Sequence, residues 1–119
     1  MISKITQKQM AFYKLYAERA KDPQRYVPTW EFVGEMFVEE LNEWVLMSYK
    51  CPTRLTDLYQ ENTALLDRKL IKGKSGAEYF GYRFKEGVGS MDIKDSRILE
   101  FYKRIKRYHE QKNQSDTSR

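Results

Sequence analysis

Thr53, Arg54, Thr56 and Gln60 fall within two helical turns and carry side chains that read the edges of DNA bases. An arginine forks onto guanine, a glutamine pairs with adenine, and threonine methyls meet thymine methyls. Lys50 stands at the start of the same segment, where phosphate contacts set the register of a protein on a duplex. Lys69, Lys72, Lys74 and Ser75 follow around the turn-forming run Gly73-Lys74-Ser75-Gly76, where they are expected to hold phosphates. Asp57 repels phosphate and is expected to pair with Arg54 or Arg83. The partner this chemistry implies is double-stranded DNA.

Other chemistries fit less well. Gly73-Lys74-Ser75 resembles the end of a nucleotide-binding loop, but the first glycine of Gly-x-x-x-x-Gly-Lys-Ser falls on Arg68. A strand-like aromatic run also follows, where that motif needs a helix. Cys51 lies where a helix N-terminus lowers a thiol pKa, yet it has no base nearby in sequence, so simple burial before Pro52 and, more weakly, redox sensing are both open readings. His109 sits among lysines and arginines, away from the clustering that metal sites need. Glu39-Glu40 belongs to an acidic surface run. The sequence therefore predicts a non-enzymatic protein without cofactor or metal.

Elements must hold these side chains in place. Thr6-Gln-Lys-Gln9 matches a capping box, with Ile5 and Met10 as a hydrophobic staple. Phe12, Leu15, Tyr16 and Ala20 continue at helical spacing, so a first helix is expected over about 6–21, ended by Asp22-Pro23. Trp30, Val33, Phe37 and Leu41 lie on one helical stripe after Thr29, which favours a second helix over about 29–41. The alternation of Trp30, Phe32, Met36 and Val38 is the rival, a strand, and Gly34 weakens the helix. Asn42-Glu43 reads as a turn, and 44–49 as a buried strand or extended turn. Pro52 suits a helix start, Leu55, Leu58 and Tyr59 face inward, and Asn62 is expected to end that helix in a left-handed conformation. Strands follow at about 66–72 and 77–84. A last helix over about 93–111, capped by Ser90 or Asp92, has an apolar stripe of Ile98, Phe101, Tyr102, Ile105 and Tyr108. That stripe either closes on the first helix or pairs with its copy in a homodimer.

Length and charge set outer bounds. A chain of 119 residues is one domain, and no apolar run nears the ~20 residues of a membrane span. No secretory signal is visible, and one cysteine fits a reducing cytoplasm. The net charge of +5 is unevenly spread. Residues 26–49 carry five glutamates and no base, whereas 50–85 and 94–119 each carry eight Lys/Arg against four acids. The basic excess thus coincides with the helix and hairpin.

The run Cys-Pro-Thr-Arg-Leu-Thr-Asp-Leu at 51–58, followed by Gly-Lys-Ser-Gly-Ala-Glu-Tyr-Phe-Gly-Tyr-Arg at 73–83, is similar to small phage- and prophage-type winged-helix proteins. Those carry an Ala-Arg-Ile-x-Asp-Leu helix before a Gly-Lys-x-Gly-Ala-x-Tyr wing. The resemblance covers about residues 26–85. It implies an α+β winged helix-turn-helix, a three-helix core plus a β-hairpin wing, with a recognition helix at about 48–62 and a wing at 66–84. The expected division is a winged-helix domain over 1–89, an additional C-terminal helix over 90–111 that packs on it or dimerises, and a flexible tail over 112–119. The expected function is DNA binding in transcription regulation or another phage-type DNA transaction. A winged helix that binds protein instead of DNA is the alternative, and its basic face would be broken by Asp57, Asp67 and Glu78. A weaker option, binding of single strands or RNA, needs exposed tyrosines, whereas Tyr59 and Tyr82 are expected to be buried.

Overall fold

A computed structural model describes residues 5–117, with side chains through Lys112. Helix α1 spans Gln7–Lys21, and Thr6 and Gln9 form the expected capping box. The Thr6 hydroxyl accepts from the Gln9 amide at 3.1 Å, and the Gln9 side chain accepts from the Thr6 amide at 2.8 Å. Asp22, in an extended conformation before Pro23, ends the helix. A two-residue strand β1, Val27–Pro28, and a short 3₁₀ turn, Thr29–Glu31, follow.

The expected second helix over 29–41 does not form. Strand β2, Gly34–Val38, pairs with β3, Glu43–Met47, around a 3₁₀ turn at Glu39–Leu41. Two residues favour this outcome. Gly34 has φ +95° and Asn42 sits in the left-handed region at φ 53°, conformations that no helix interior accepts and that these residue types tolerate best. Period 2 then sorts the side chains. Val38, Val45 and Met47 are buried, while Phe37, Trp44 and Leu46 stay exposed. The rival alternation thus locates the strand, although Trp30 and Phe32 precede it. The turn at 39–41 is tied down from two sides. Glu40 accepts a hydrogen bond from the Tyr13 hydroxyl of α1 at 2.7 Å and pairs with His109 at 2.7 Å. Burial first, and then the Glu40 carboxylate, push the Tyr13 pKa up.

Helix α2 covers Cys51–Glu61 with proline in its first turn and Leu55 and Leu58 buried. Asn62 after it is not left-handed; its φ is −132°. The residue is buried instead, and its side-chain amide donates to the Leu58 carbonyl and accepts from the Lys94 amide. Strands β4, Leu66–Lys72, and β5, Glu78–Phe84, form the expected hairpin, and β1 joins its other side to give the order β1-β5-β4. Gly81 is required where β1 crosses: a Cβ there would lie 2.7 Å from the Ile71 side chain and 2.9 Å from Tyr26.

Helix α3 spans Ser96–Thr117. Ser90 and Asp92 form a separate 3₁₀ turn, and Asp95 is the actual cap, accepting from the Arg97 and Ile98 amides. The helix runs on through the segment expected to be a tail from 112; residues 118–119, like 1–4, lie outside the described residues. Ile98, Phe101, Tyr102 and Ile105 are buried within the chain, so this stripe is not free to pair with a second copy. Of the five expected seam residues, only Tyr108 remains half-buried. The stripe closes on Phe12 of α1, whose ring meets Phe84, Phe101 and Tyr102 edge-on at centroid distances of 5.3, 6.4 and 5.8 Å. The architecture is α+β, three helices with small antiparallel sheets. Among the described residues no helix is long and apolar enough to cross a membrane.

Because Phe12 joins α1 to both β5 and α3, Phe12→Ala should cost about 3–5 kcal/mol of stability. Urea unfolding followed by far-ultraviolet circular dichroism measures this; a loss below about 1 kcal/mol would contradict the central placement of the ring.

Candidate nucleic-acid interface

Helix α2 packs on α1 and touches one face of the β4–β5 hairpin through Tyr59, and strand alternation decides what that face presents. Leu66, Arg68, Leu70 and Lys72 share it with Glu78, Phe80, Tyr82 and Phe84, in the register Leu66↔Phe84 to Lys72↔Glu78. At the base Leu66, Tyr82 and Phe84 are buried, and the Tyr59 ring of α2 meets Tyr82 at 5.8 Å. Beyond them the Arg68 guanidinium sits between two rings, 4.4 Å from Tyr59 and 4.2 Å from Phe80. A cation over an aromatic face is attractive in proportion to its desolvation, so Arg68 ties the last turn of α2 to the hairpin. Leu70 and Phe80 then stand exposed farther out.

The expected contact residues divide over this framework. Thr53, Arg54 and Gln60 are exposed on the outer side of α2, with Lys50 exposed just before it. The Lys50 ammonium lies 5.9 Å from the Tyr49 ring centroid. Arg54 is ion-paired with Asp57 at 2.9 Å, one of the two partners expected for that aspartate. Thr56 is partly buried and its hydroxyl donates back to the Pro52 carbonyl, within its own helix. Lys74 and Ser75 are exposed at the hairpin tip, and Lys72 is exposed opposite Glu78. Lys69 departs from the group. It belongs to the opposite face of the hairpin with Asp67 and Ile71, and its ammonium lies over the Tyr26 ring at 5.6 Å.

The three acids that bear on DNA against protein binding are also sorted. Asp57 is neutralised by Arg54. Asp67 is on the far face, where it pairs with Arg83 at 3.5 Å and accepts from the Tyr26 hydroxyl at 2.6 Å. Glu78 alone stands on the α2 side near the tip. Tyr82 is fully buried and Tyr59 half-buried, so neither offers an open ring for base stacking.

Sequence reasoning passed over Arg68 as a binding-site element. The signal was available in the strand period, which puts residue 68 beside 66, 70 and 72. It was hidden because its two aromatic partners come from separate segments. Lys8 is a second omission. Its ammonium reaches Glu61 at the end of α2 at 2.6 Å and Asp95 before α3 at 3.1 Å, joining the two helices.

Cys51 is fully buried, with its thiol 3.5 Å from the Gln7 carbonyl oxygen. Burial pushes its pKa up to about 12, which outweighs its place at a helix start. No family model matches this chain, and no curated protein or solved structure is significantly similar to it.

Cys51 should resist alkylation in the native protein at mildly alkaline pH and react fully in urea; rapid native labelling would contradict its burial. Asp95 offers a second check. Burial works to raise the Asp95 pKa, but the Lys8 ammonium and the Arg97 and Ile98 amides outweigh it and hold the carboxyl low. A carboxylate with a lowered folded pKa contributes stability above its unfolded value of about 3.9, and that contribution is lost as pH falls through the folded value. Thermal melting from neutral to strongly acidic pH should therefore show an acid limb, and Asp95→Asn should make it shallower. An unchanged limb in the variant would remove Asp95 from the account.

Proposed function

We propose that this chain is a non-enzymatic double-stranded DNA-binding protein of winged-helix type, serving in transcription regulation or another phage-type DNA transaction. The observation that carries the reading is the α2–hairpin unit. An exposed helix face of Thr53, Arg54 and Gln60 is fixed by Arg68 to a hairpin whose tip bears Lys72 and Lys74. A helix in the major groove and a basic loop on the flanking phosphates would use those two surfaces together. The sheet order β1-β5-β4 supports the same reading, since a short early strand braces the hairpin from its far side. The Arg54–Asp57 pair is no obstacle, because an exposed ion pair is worth only about 0–1 kcal/mol and the guanidinium can exchange it for a base or phosphate. The chain departs from a plain helix-turn-helix in that the β2–β3 hairpin occupies the place of the second helix.

A second reading, a protein-interaction module, is favoured by one observation. Phe37, Trp44 and Leu46 are exposed together on β2–β3, with Trp44 67% accessible, and clustered exposed apolar side chains mark interaction surfaces.

Fluorescence anisotropy with a labelled random-sequence duplex at several salt concentrations separates the two. Non-specific binding in the range of about 10⁻⁴–10⁻⁶ M, weakening steeply with salt, is expected. Lys72→Ala with Lys74→Ala should weaken binding to every sequence and reduce the salt dependence. Arg54→Ala should cost about 1–3 kcal/mol at one position of a preferred site. Absence of binding even at low salt would leave only the protein-interaction reading.

A further inference from the structure

The most concentrated positive charge on this chain lies on α3, away from the α2–hairpin unit. Its buried stripe turns inward, and the outer face carries Arg97, Lys103, Arg104, Lys106 and Arg107, all exposed. Arg97, Arg104 and Arg107 border an open hollow of about 540 Å³ whose other margin is Gln9 in the first turn of α1. Among the described residues none of these three guanidinium groups has a carboxylate within ion-pair distance, whereas Arg25, Arg54 and Arg83 each do. Among the described residues Glu100 is the one acid on the rim, so the lining carries a net positive charge.

We propose that this arginine row is a second phosphodiester-binding surface, which holds the backbone of duplex DNA outside the part contacted by α2 and the hairpin tip. The assignment rests on DNA being the ligand of the chain. Three features favour it over other anions. Guanidinium forks match phosphate oxygens two at a time. The row from Arg97 to Arg107 extends about 15 Å along the helix at 1.5 Å per residue, enough to meet several phosphates, which advance about 3.4 Å each along one strand. The apolar wall is Phe101, itself buried, so no open ring is offered to stack on a base or nucleoside. The surface therefore reads charge and spacing, not sequence. A membrane fits less well, because among the described residues no large exposed apolar side chain stands between these cations to enter a bilayer.

The position is also suited to a continuous track. Lys8 bridges Glu61, the last residue of α2, to Asp95, two residues before Arg97. The arginine row thus begins beside the end of the helix that carries Thr53, Arg54 and Gln60.

The test is the salt dependence of duplex binding by the full chain. The variant Arg97→Gln, Arg104→Gln, Arg107→Gln keeps good helix formers at exposed positions, and circular dichroism with thermal melting checks that it folds. The slope of log K against log salt should become shallower by about two to three, at about 0.9 for each phosphate no longer neutralised, on any duplex sequence. The corresponding triple Arg→Lys variant should retain most of the wild-type slope, and Lys72→Ala with Lys74→Ala should add its own decrement. A wild-type slope in the folded Gln variant, on a duplex that the wild type binds, would overturn this inference and leave the α2–hairpin reading standing. No duplex binding by the wild type at low salt would overturn both. If the wild type instead bound anionic vesicles and the Gln variant did not, the row would belong to a lipid surface and the DNA assignment would fall.

Discussion

The edge-on packing around Phe12 is the contact on which the rest of this fold depends. One ring on α1 touches Phe84 at the end of the hairpin and Phe101 and Tyr102 of the last helix. Edge-to-face pairs of this kind add about 0.5–1.5 kcal/mol each beyond the area they bury. More important is their direction: they set α1 as the post against which the sheet and α3 are both measured. Helix α2 packs on α1 as well. The placement of the basic surfaces relative to one another is therefore inherited from one helix.

On that post the structure uses two kinds of fastening. Away from the Phe12 rings, aliphatic burial holds the elements together without specifying angles. Polar side chains at the margins then fix orientation: Arg68 between Tyr59 and Phe80, Asn62 between Leu58 and Lys94, Glu40 between Tyr13 and His109. Each joins segments distant in sequence. In the described residues no buried side-chain nitrogen or oxygen lacks a hydrogen-bond partner, so this fixing is achieved without the desolvation cost of an orphaned polar group.

Elements governed by local chemistry could be read from the sequence. The capping box of α1, the proline at the start of α2 and the glycine turn of the β4–β5 hairpin all act within a few residues. The region 29–47 was harder, because Trp30, Val33, Phe37 and Leu41 mimic a helical stripe while period 2 runs through the same residues. What decided it was backbone conformation at Gly34 and Asn42, which hydrophobic spacing does not register. The cap of α3 lies beyond both expected positions for a similar reason, since Ser90, Asp92 and Asp95 are all competent caps and tertiary packing chooses among them. The α2 face was legible as a chemical set, but Thr56 and Lys69 could not be assigned a side without knowing which face of the hairpin the helix would cover. The arginines of α3 were visible as charge. Their convergence on a hollow with Gln9 was not, because it depends on the crossing of the first and last helices.

That crossing has a consequence for how the chain acquires its shape. Phe12 is eighty-nine residues from Phe101 in sequence, and Met10 and Leu15 are buried beside it in the same cluster. During synthesis α1 emerges before α3, so its apolar side stays uncovered until that last cover is made. Closing so long a loop is entropically slow, and exposed apolar surface in the interval favours association with other chains. The nascent chain is thus left with an open side throughout that interval, and its native core closes only after α3 has left the ribosome.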